Sequence, residues 1–100
     1  MSDTPDLDID EEVTGSKGRY VAKAEDGGED AELSYSILNG QTIIIDSTTV
    51  PDAWRGKGAG KALVERAVTD ARERGVKIVP LCPFAKAQIE RHPEWRDVLA

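Results

Sequence analysis

The feature that most constrains the fold is a strand–helix–strand pattern between residues 41 and 81. Its first segment is rich in β-branched residues and apolar on both faces around Ile43–Ile45, as is typical of a central strand. Lys61–Arg74 follows with apolar side chains at spacings of three and four, which predicts an amphipathic helix. Val76–Leu81 then reads as a short apolar strand. Such a unit predicts a right-handed crossover and a sheet with helices packed on it.

Two further patterns extend this unit in both directions. Alternating residues and the Asn39-Gly40 turn predict a three-strand antiparallel meander over residues 19–50, ended by Pro51. Beyond the crossover, Pro83 starts a shorter helix through about Arg91, which we expect to turn Phe84, Ala87 and Ile89 inward. The predicted order is β-β-β-α-β-α, a mixed α/β (α+β) sheet.

Charge is concentrated near the N-terminus. Residues 1–17 hold six acidic residues and one lysine, with few large apolar side chains, so we predict a flexible acidic tail there and a single domain over residues 18–100. A role as an acidic docking segment stays open. The net charge of −6 argues against a general nucleic-acid binder. The lone Cys82 cannot form an intrachain disulfide, and we expect a cytoplasmic protein without a membrane partner.

The turn before the predicted helix combines glycines with positive charge. Glycine lets a backbone approach a ligand closely, and a helix N-terminus attracts anions, so the turn predicts a phosphate or pyrophosphate cradle. Its residues are Arg55, Gly56, Lys57, Gly58, Ala59, Gly60 and Lys61. Ala62 after Lys61 excludes a Walker A loop, and the glycine spacing excludes the dinucleotide fingerprint. A glycine-rich turn with solvated lysines remains the alternative.

The spacing Arg-x-x-Gly-x-Gly at Arg55, Gly58 and Gly60, with "PLCPF" and "RHPEW" downstream, resembles the GNAT acetyltransferase superfamily. Over residues 19–100 the chain looks like its minimal, YjdJ-type branch. The resemblance implies a GNAT-like fold, acetyl-CoA (coenzyme A) as the cofactor and N-acetyl transfer to an unidentified amine. We expect a monomer or weak dimer. The extra N-terminal elements that help larger members hold the acceptor have no room here.

The resemblance also implies where the cofactor lies. The strands ending at Val50 and Leu81 should splay apart, with the pantetheine arm between them. Thr49 and Val50 would supply backbone contacts, and an N–H group near Val50 would stabilise the oxyanion. The glycine turn would hold the pyrophosphate, and Cys82 would line the channel.

Three residues are candidates for catalysis: Val50, Cys82 and His92. Cys82 precedes a helix, where a thiolate is favoured, so it either accepts the acetyl group or only lines the channel. His92 is a base, a cofactor contact or a helix cap. The family often has a histidine near Ser47 and a tyrosine where Gln88 stands, and glutamine cannot act as an acid. No metal site is predicted. Direct transfer is the preferred mechanism; a non-catalytic acyl-CoA-binding or sensing module is the alternative.

Overall fold

A computed structural model describes residues 9–23, 29–51, 54 and 58–100. Within these residues, the chain forms five strands, two α-helices and a C-terminal 3-10 helix. Their bounds are β1 Ile9–Thr14, β2 Lys17–Ala22, β3 Ala31–Asn39, β4 Thr42–Thr49, α1 Ala59–Arg74, β5 Lys77–Pro80, α2 Pro83–Arg91 and the 3-10 helix Pro93–Val98.

The strands form one sheet in the order β1-β2-β3-β4-β5. Pairing is antiparallel from β1 to β4, and β4 pairs with β5 in parallel, from Thr42 with Lys77 to Ile45 with Pro80. At the hairpin between β3 and β4, the Gln41 N–H donates to Asn39 Oδ1 at 2.7 Å. The predicted meander, the parallel strand–helix–strand unit and the mixed α/β class are therefore confirmed.

The prediction of a flexible tail through Lys17 is wrong for the part of it that the structure describes. Residues 9–14 form β1, which pairs along its whole length with β2, and Lys17 already belongs to β2. The segment looks like a tail because its sequence is acidic, but one acid, Glu11, is paired with a residue far along the chain. Residues 1–8 lie outside the described residues.

Glu11 belongs to a cluster of polar side chains between β1 and the C-terminal half of α1, which we call the β1 clamp. Glu11 accepts two hydrogen bonds from Arg74, at 2.8 and 3.0 Å, and one from the Tyr35 hydroxyl at 2.5 Å. Asp70 accepts from the Tyr20 hydroxyl at 2.8 Å and from Arg66 at 3.1 Å. Because these bonds join three strands to one helix, they fix β1 against the domain.

Helix α1 packs its predicted apolar stripe against β2 and β3. The stripe is buried throughout: Ala59, Leu63, Val64, Ala67, Val68 and Ala71. Gly75 ends the helix with φ +70°, in the left-handed conformation that glycine tolerates. Arg66 and Asp70 form an i,i+4 ion pair on α1. Asp70 is nevertheless buried, because Tyr20 reaches it from β2.

Helix α2 buries a different set of side chains from the one predicted. Ala85 and Ile89 are the buried residues, whereas Phe84 is 40% exposed and Ala87 is exposed. The helix contacts β4 and β5 at its N-terminal end, and it also contacts the 3-10 helix. The sequence did not predict this 3-10 helix, which begins at Pro93. Both α-helices and the 3-10 helix contact one another and cover one side of the sheet.

Candidate functional site

Strands β4 and β5 separate before β4 ends. Their pairing stops at Ile45 and Pro80, and one further bond joins the Cys82 N–H to the Ile45 carbonyl at 3.1 Å. Strand β4 continues to Thr49, paired only with β3 among the described strands. We call the space between β4 residues 46–49 and the start of α2 the split. The predicted separation of the two strands is confirmed, and it leaves a backbone edge that a ligand amide can pair with.

Two helix N-termini meet beside the split. Helix α1 begins at Ala59 after Gly58, whose φ of +72° is left-handed, and its first hydrogen bond runs from the Ala62 N–H to the Gly58 carbonyl. The N–H groups of the first turn thus have no partner within the helix, and the helix dipole makes this end positive. Helix α2 begins nearby, at Pro83.

Gly60 allows this close approach of the two helices. A Cβ atom at this position would lie 2.5 Å from Phe84 Cζ and 3.4 Å from Val50 Cγ2. The sequence suggested that Gly60 makes room for a ligand; in the structure it makes room for the Phe84 ring. The end of β4, the first turn of α1 and the first turn of α2 therefore converge on one place.

An exposed apolar surface surrounds the split. Val50 follows β4 and is 36% exposed, and Leu81 follows β5 and is 65% exposed. Phe84 lies in the first turn of α2 and is 40% exposed. Exposed apolar side chains that lie together are a candidate binding surface. Leu81 and Phe84 were not predicted as site residues, because an apolar residue next to a strand or helix normally indicates core. Apolar walls beside positive helix ends suit a ligand with an apolar arm and an anionic end.

Cys82 lies at the N-terminal end of α2 with only 6% of its surface exposed. Its Sγ is 3.5 Å from Thr48 Oγ1 across the split. Burial raises the pKa of the Cys82 thiol, but hydrogen bonds with Thr48 and with the backbone of Ala85 and Phe84 outweigh burial, so the pKa is lowered overall. Thr48 was missed at the sequence level since its partner is 34 residues away.

His92 is at the opposite end of α2 from Cys82. Its Nδ1 lies 2.7 Å from the Gln88 carbonyl oxygen, and its ring stacks on Trp95 with centroids 4.0 Å apart. A helix of this length spans about 14 Å. The structure therefore brings Thr48, Val50 and Cys82 together and does not bring His92 to them. His92 joins α2 to the 3-10 helix instead.

The remaining predicted residues divide into two groups. Thr49 ends β4, Ala59 is buried, and Lys61 is partly exposed in the first turn of α1. Arg55, Gly56 and Lys57 lie outside the described residues. Between them and β4, Trp54 is buried and its Nε1 donates to the Glu29 carbonyl at 2.8 Å, which ties this connection to the segment before β3.

The described residues hold neither a metal-binding cluster nor a helix that could span a membrane. Across residues 9–23, 29–51, 54 and 58–100, no three side chains of histidine, cysteine, aspartate or glutamate are grouped as a metal would require. Within the same ranges, neither α-helix combines the length and hydropathy that crossing a membrane demands.

Comparison with known proteins identifies the family. The profile of the GCN5-related N-acetyl-transferase family matches residues 19–98. Protein NATD1 from Xenopus tropicalis is 30% identical over 63 residues, which are 63% of this chain and only 58% of that protein. The NMR solution structure of a GCN5-like candidate N-acetyltransferase from Staphylococcus aureus is 33% identical, with a TM-score of 0.69 over 94% of this chain and 88% of that one. The chain therefore belongs to the GCN5-related N-acetyltransferase family.

Proposed function

We propose that the protein transfers an acetyl group from acetyl-CoA to an amine by direct attack, and that it belongs to the YjdJ-type branch. The observation that carries the proposal is the split, at which two helix N-termini and the Thr48–Cys82 contact meet. Family membership supports the same chemistry.

The residues around the split fit coenzyme A. Val50, Leu81 and Phe84 offer an apolar wall to its pantetheine arm, and the free edge of β4 offers backbone groups to its amides. The first-turn N–H groups of Ala59, Gly60 and Lys61 suit its pyrophosphate. The side chains of Arg55, Lys57 and Lys61 would add positive charge.

Bound acetyl-CoA would supply a thioester: the C–N bond to the amine forms, the C–S bond breaks, and its electron pair leaves on the coenzyme sulfur. A backbone N–H near Val50 would stabilise the negative charge on the carbonyl oxygen. The amine must shed one proton to water before it attacks, and a second leaves afterwards. Thr48 would orient the Cys82 thiol, which lines the split. Holding both reactants at one place would provide much of the rate.

The coenzyme site is tested by Gly58→Val with Gly75→Val as its matched control. Both glycines are left-handed, at φ +72° and +70°, and they flank the two ends of α1, so both variants carry similar backbone strain. We expect only Gly58→Val to abolish coenzyme A binding in titration calorimetry, while circular dichroism verifies that both proteins fold. Equal affinity in the two variants would refute this site.

Cys82→Ala distinguishes direct attack from a covalent route. Direct attack predicts that the variant keeps coenzyme A binding and most of its amine acetylation. A covalent route predicts that wild-type protein gains about 42 Da from acetyl-CoA alone, at the thiolate, in an intact-mass spectrum. Loss of turnover in Cys82→Ala together with that mass gain would overturn direct attack. Absence of amine acetylation in both proteins, with coenzyme A bound, would instead indicate a binding module.

A further inference from the structure

A shallow groove crosses the side of the sheet opposite the helices. It has a volume of about 390 Å³, and its lining includes Glu12, Lys17, Arg19, Ser34 and Asp46, from four consecutive strands. We call it the sheet groove. The apolar wall and Cys82 do not contribute to its lining.

Short hydroxyl side chains lie in and beside the sheet groove. Ser34, which is part of the lining, has its Oγ 3.1 Å from Ser47 Oγ, and the Ser36 hydroxyl donates to Asp46 at 2.6 Å. These groups supply polar contacts in a lining that also includes Thr14, Gly18 and Tyr35.

The four charged side chains in the lining of the sheet groove comprise two of each sign. Lys17 Nζ lies 3.8 Å from Asp46 Oδ2 and donates to Ser36 Oγ at 2.6 Å. Arg19 is 2.7 Å from Glu12 and 3.1 Å from Glu32. A ligand with only one sign of charge would separate such a pair and leave one member alone. A ligand that carries both signs can replace both members of one pair, so the groove favours a zwitterion.

The β4 end of the sheet groove adjoins the split. Asp46 follows Ile45, whose carbonyl accepts the last bond before the split, from the Cys82 N–H. The register of β4 against β3 shifts here, so Asp46 and Ser47 both turn to the groove face, where they contact Ser36 and Ser34. A group held at Asp46 is thus beside the free edge of β4, on the side of the sheet that the helices leave open.

We propose that the sheet groove holds the acceptor, and that the acceptor is a small zwitterionic primary amine of the α-amino-acid type. Its ammonium group takes the place of Lys17 at Asp46, and its carboxylate takes the place of Asp46 at Lys17. This inference rests on the proposed function. Acetylation converts the ammonium into a neutral amide, so the product retains only the Lys17 interaction and dissociates more easily.

The first test measures binding without turnover. Free amino acids are titrated into the ¹⁵N-labelled full chain, with their N-acetyl derivatives and with 1,4-diaminobutane as comparisons. We expect at least one amino acid to shift the amide signals of Lys17, Ser36 and Asp46, and the comparisons to shift them at least tenfold less at equal concentration. No shift with any amino acid, or an equal shift with the diamine, would overturn the proposal.

The second test replaces each partner of the Lys17–Asp46 pair in turn, as Asp46→Asn and Lys17→Met. Each should raise the KM for the amino acid at least tenfold and leave coenzyme A affinity unchanged. Asp97→Asn is the control, because it breaks a similarly exposed ion pair, with Arg72 at 2.7 Å, outside the groove. Equal KM values in all three variants would refute the groove. If the wild-type protein does not bind coenzyme A, only the proposed function is refuted, because the groove titration needs no coenzyme.

Discussion

The two ends of the sheet treat their polar groups in opposite ways. At the β1 end, the clamp satisfies its buried carboxylates: Glu11 is held by Arg74 and Tyr35, and Asp70 by Tyr20 and Arg66. At the β4–β5 end, pairing stops early and apolar side chains stay exposed. The first end is built for stability. The second leaves β4 beyond Ile45 without a partner on one side among the described strands, and the proposed acetyl transfer places its ligand there.

The pKa values of the titratable groups also differ between the two ends of the sheet. Arg74 hydrogen bonds lower the pKa of Glu11 to about 2, against the opposing effect of burial and with help from Tyr35. Burial and the nearby carboxylates raise the pKa values of Tyr20 and Tyr35, so both hydroxyls remain protonated donors. The clamp is thus a fixed set of donors and acceptors. At the split, by contrast, the titratable Cys82 thiol has a lowered pKa.

The largest expected effect comes from removing the β1 end altogether. Deleting residues 1–16 leaves Arg74 and Tyr35 without Glu11 and exposes the edge of β2. We expect a loss of about 3 kcal/mol or more, since a broken partly buried pair alone can cost this much. For a domain of this size that corresponds to a fall in Tm of about 15 °C. Scanning calorimetry measures it, and a change below two degrees would mean that β1 adds no stability.

A smaller effect separates two neighbouring acids of β1. Glu11 has 15% of its side chain exposed and lies in the clamp, whereas Glu12 has 46% exposed and pairs with Arg19 on the other face. Glu11→Ala should lower the free energy of unfolding by about 2 kcal/mol because the clamp donors lose their acceptor. Glu12→Ala should change it by less than about 0.5 kcal/mol. Urea unfolding of the pair tests this, and similar losses would contradict the clamp.

The pH dependence of stability tests the role of Glu11 independently. The pKa of Glu11 is lower in the folded state than its ordinary value of 4.5. Its contribution to stability is therefore fully present above about pH 4.5 and is lost as the pH falls towards 2. Glu11→Gln should show a shallower fall in Tm than the wild type between pH 5 and pH 2. Parallel curves would show that Glu11 does not titrate within the clamp.

A smaller loss of stability than that of Glu11→Ala is expected at the open end. Gly60→Ala places a methyl group against the Phe84 ring, whose side chain is 40% exposed and can swing aside, so we expect a loss of about 1 kcal/mol. Coenzyme A affinity should also fall, because the displaced ring changes the shape of the apolar wall. In a Phe84→Ala background, calorimetry should show little additional loss of affinity from Gly60→Ala. An undiminished loss would place the coenzyme away from Phe84.

Local patterns sufficed for most of the fold. Alternation in β2 and β3, the Asn39-Gly40 turn and the apolar stripe of α1 are short-range signals, and each is confirmed. The split was also anticipated, through family resemblance. The sequence did not predict the roles of Glu11 and Thr48, because their partners are 63 and 34 residues away along the chain. A charged or hydroxyl side chain carries no local sign of a distant partner.

The distance between Glu11 and Arg74 along the chain also has a kinetic consequence. Although β1 comes off the ribosome before the rest of the domain, its anchor is 63 residues further on. Closing so long a loop is entropically unfavourable until the other elements have formed. We therefore expect the contacts of β1 with α1 to form last during folding, after its local pairing with β2, which crosses only the short turn between Thr14 and Lys17. The strand that is synthesised first makes its last contacts when α1 is in place.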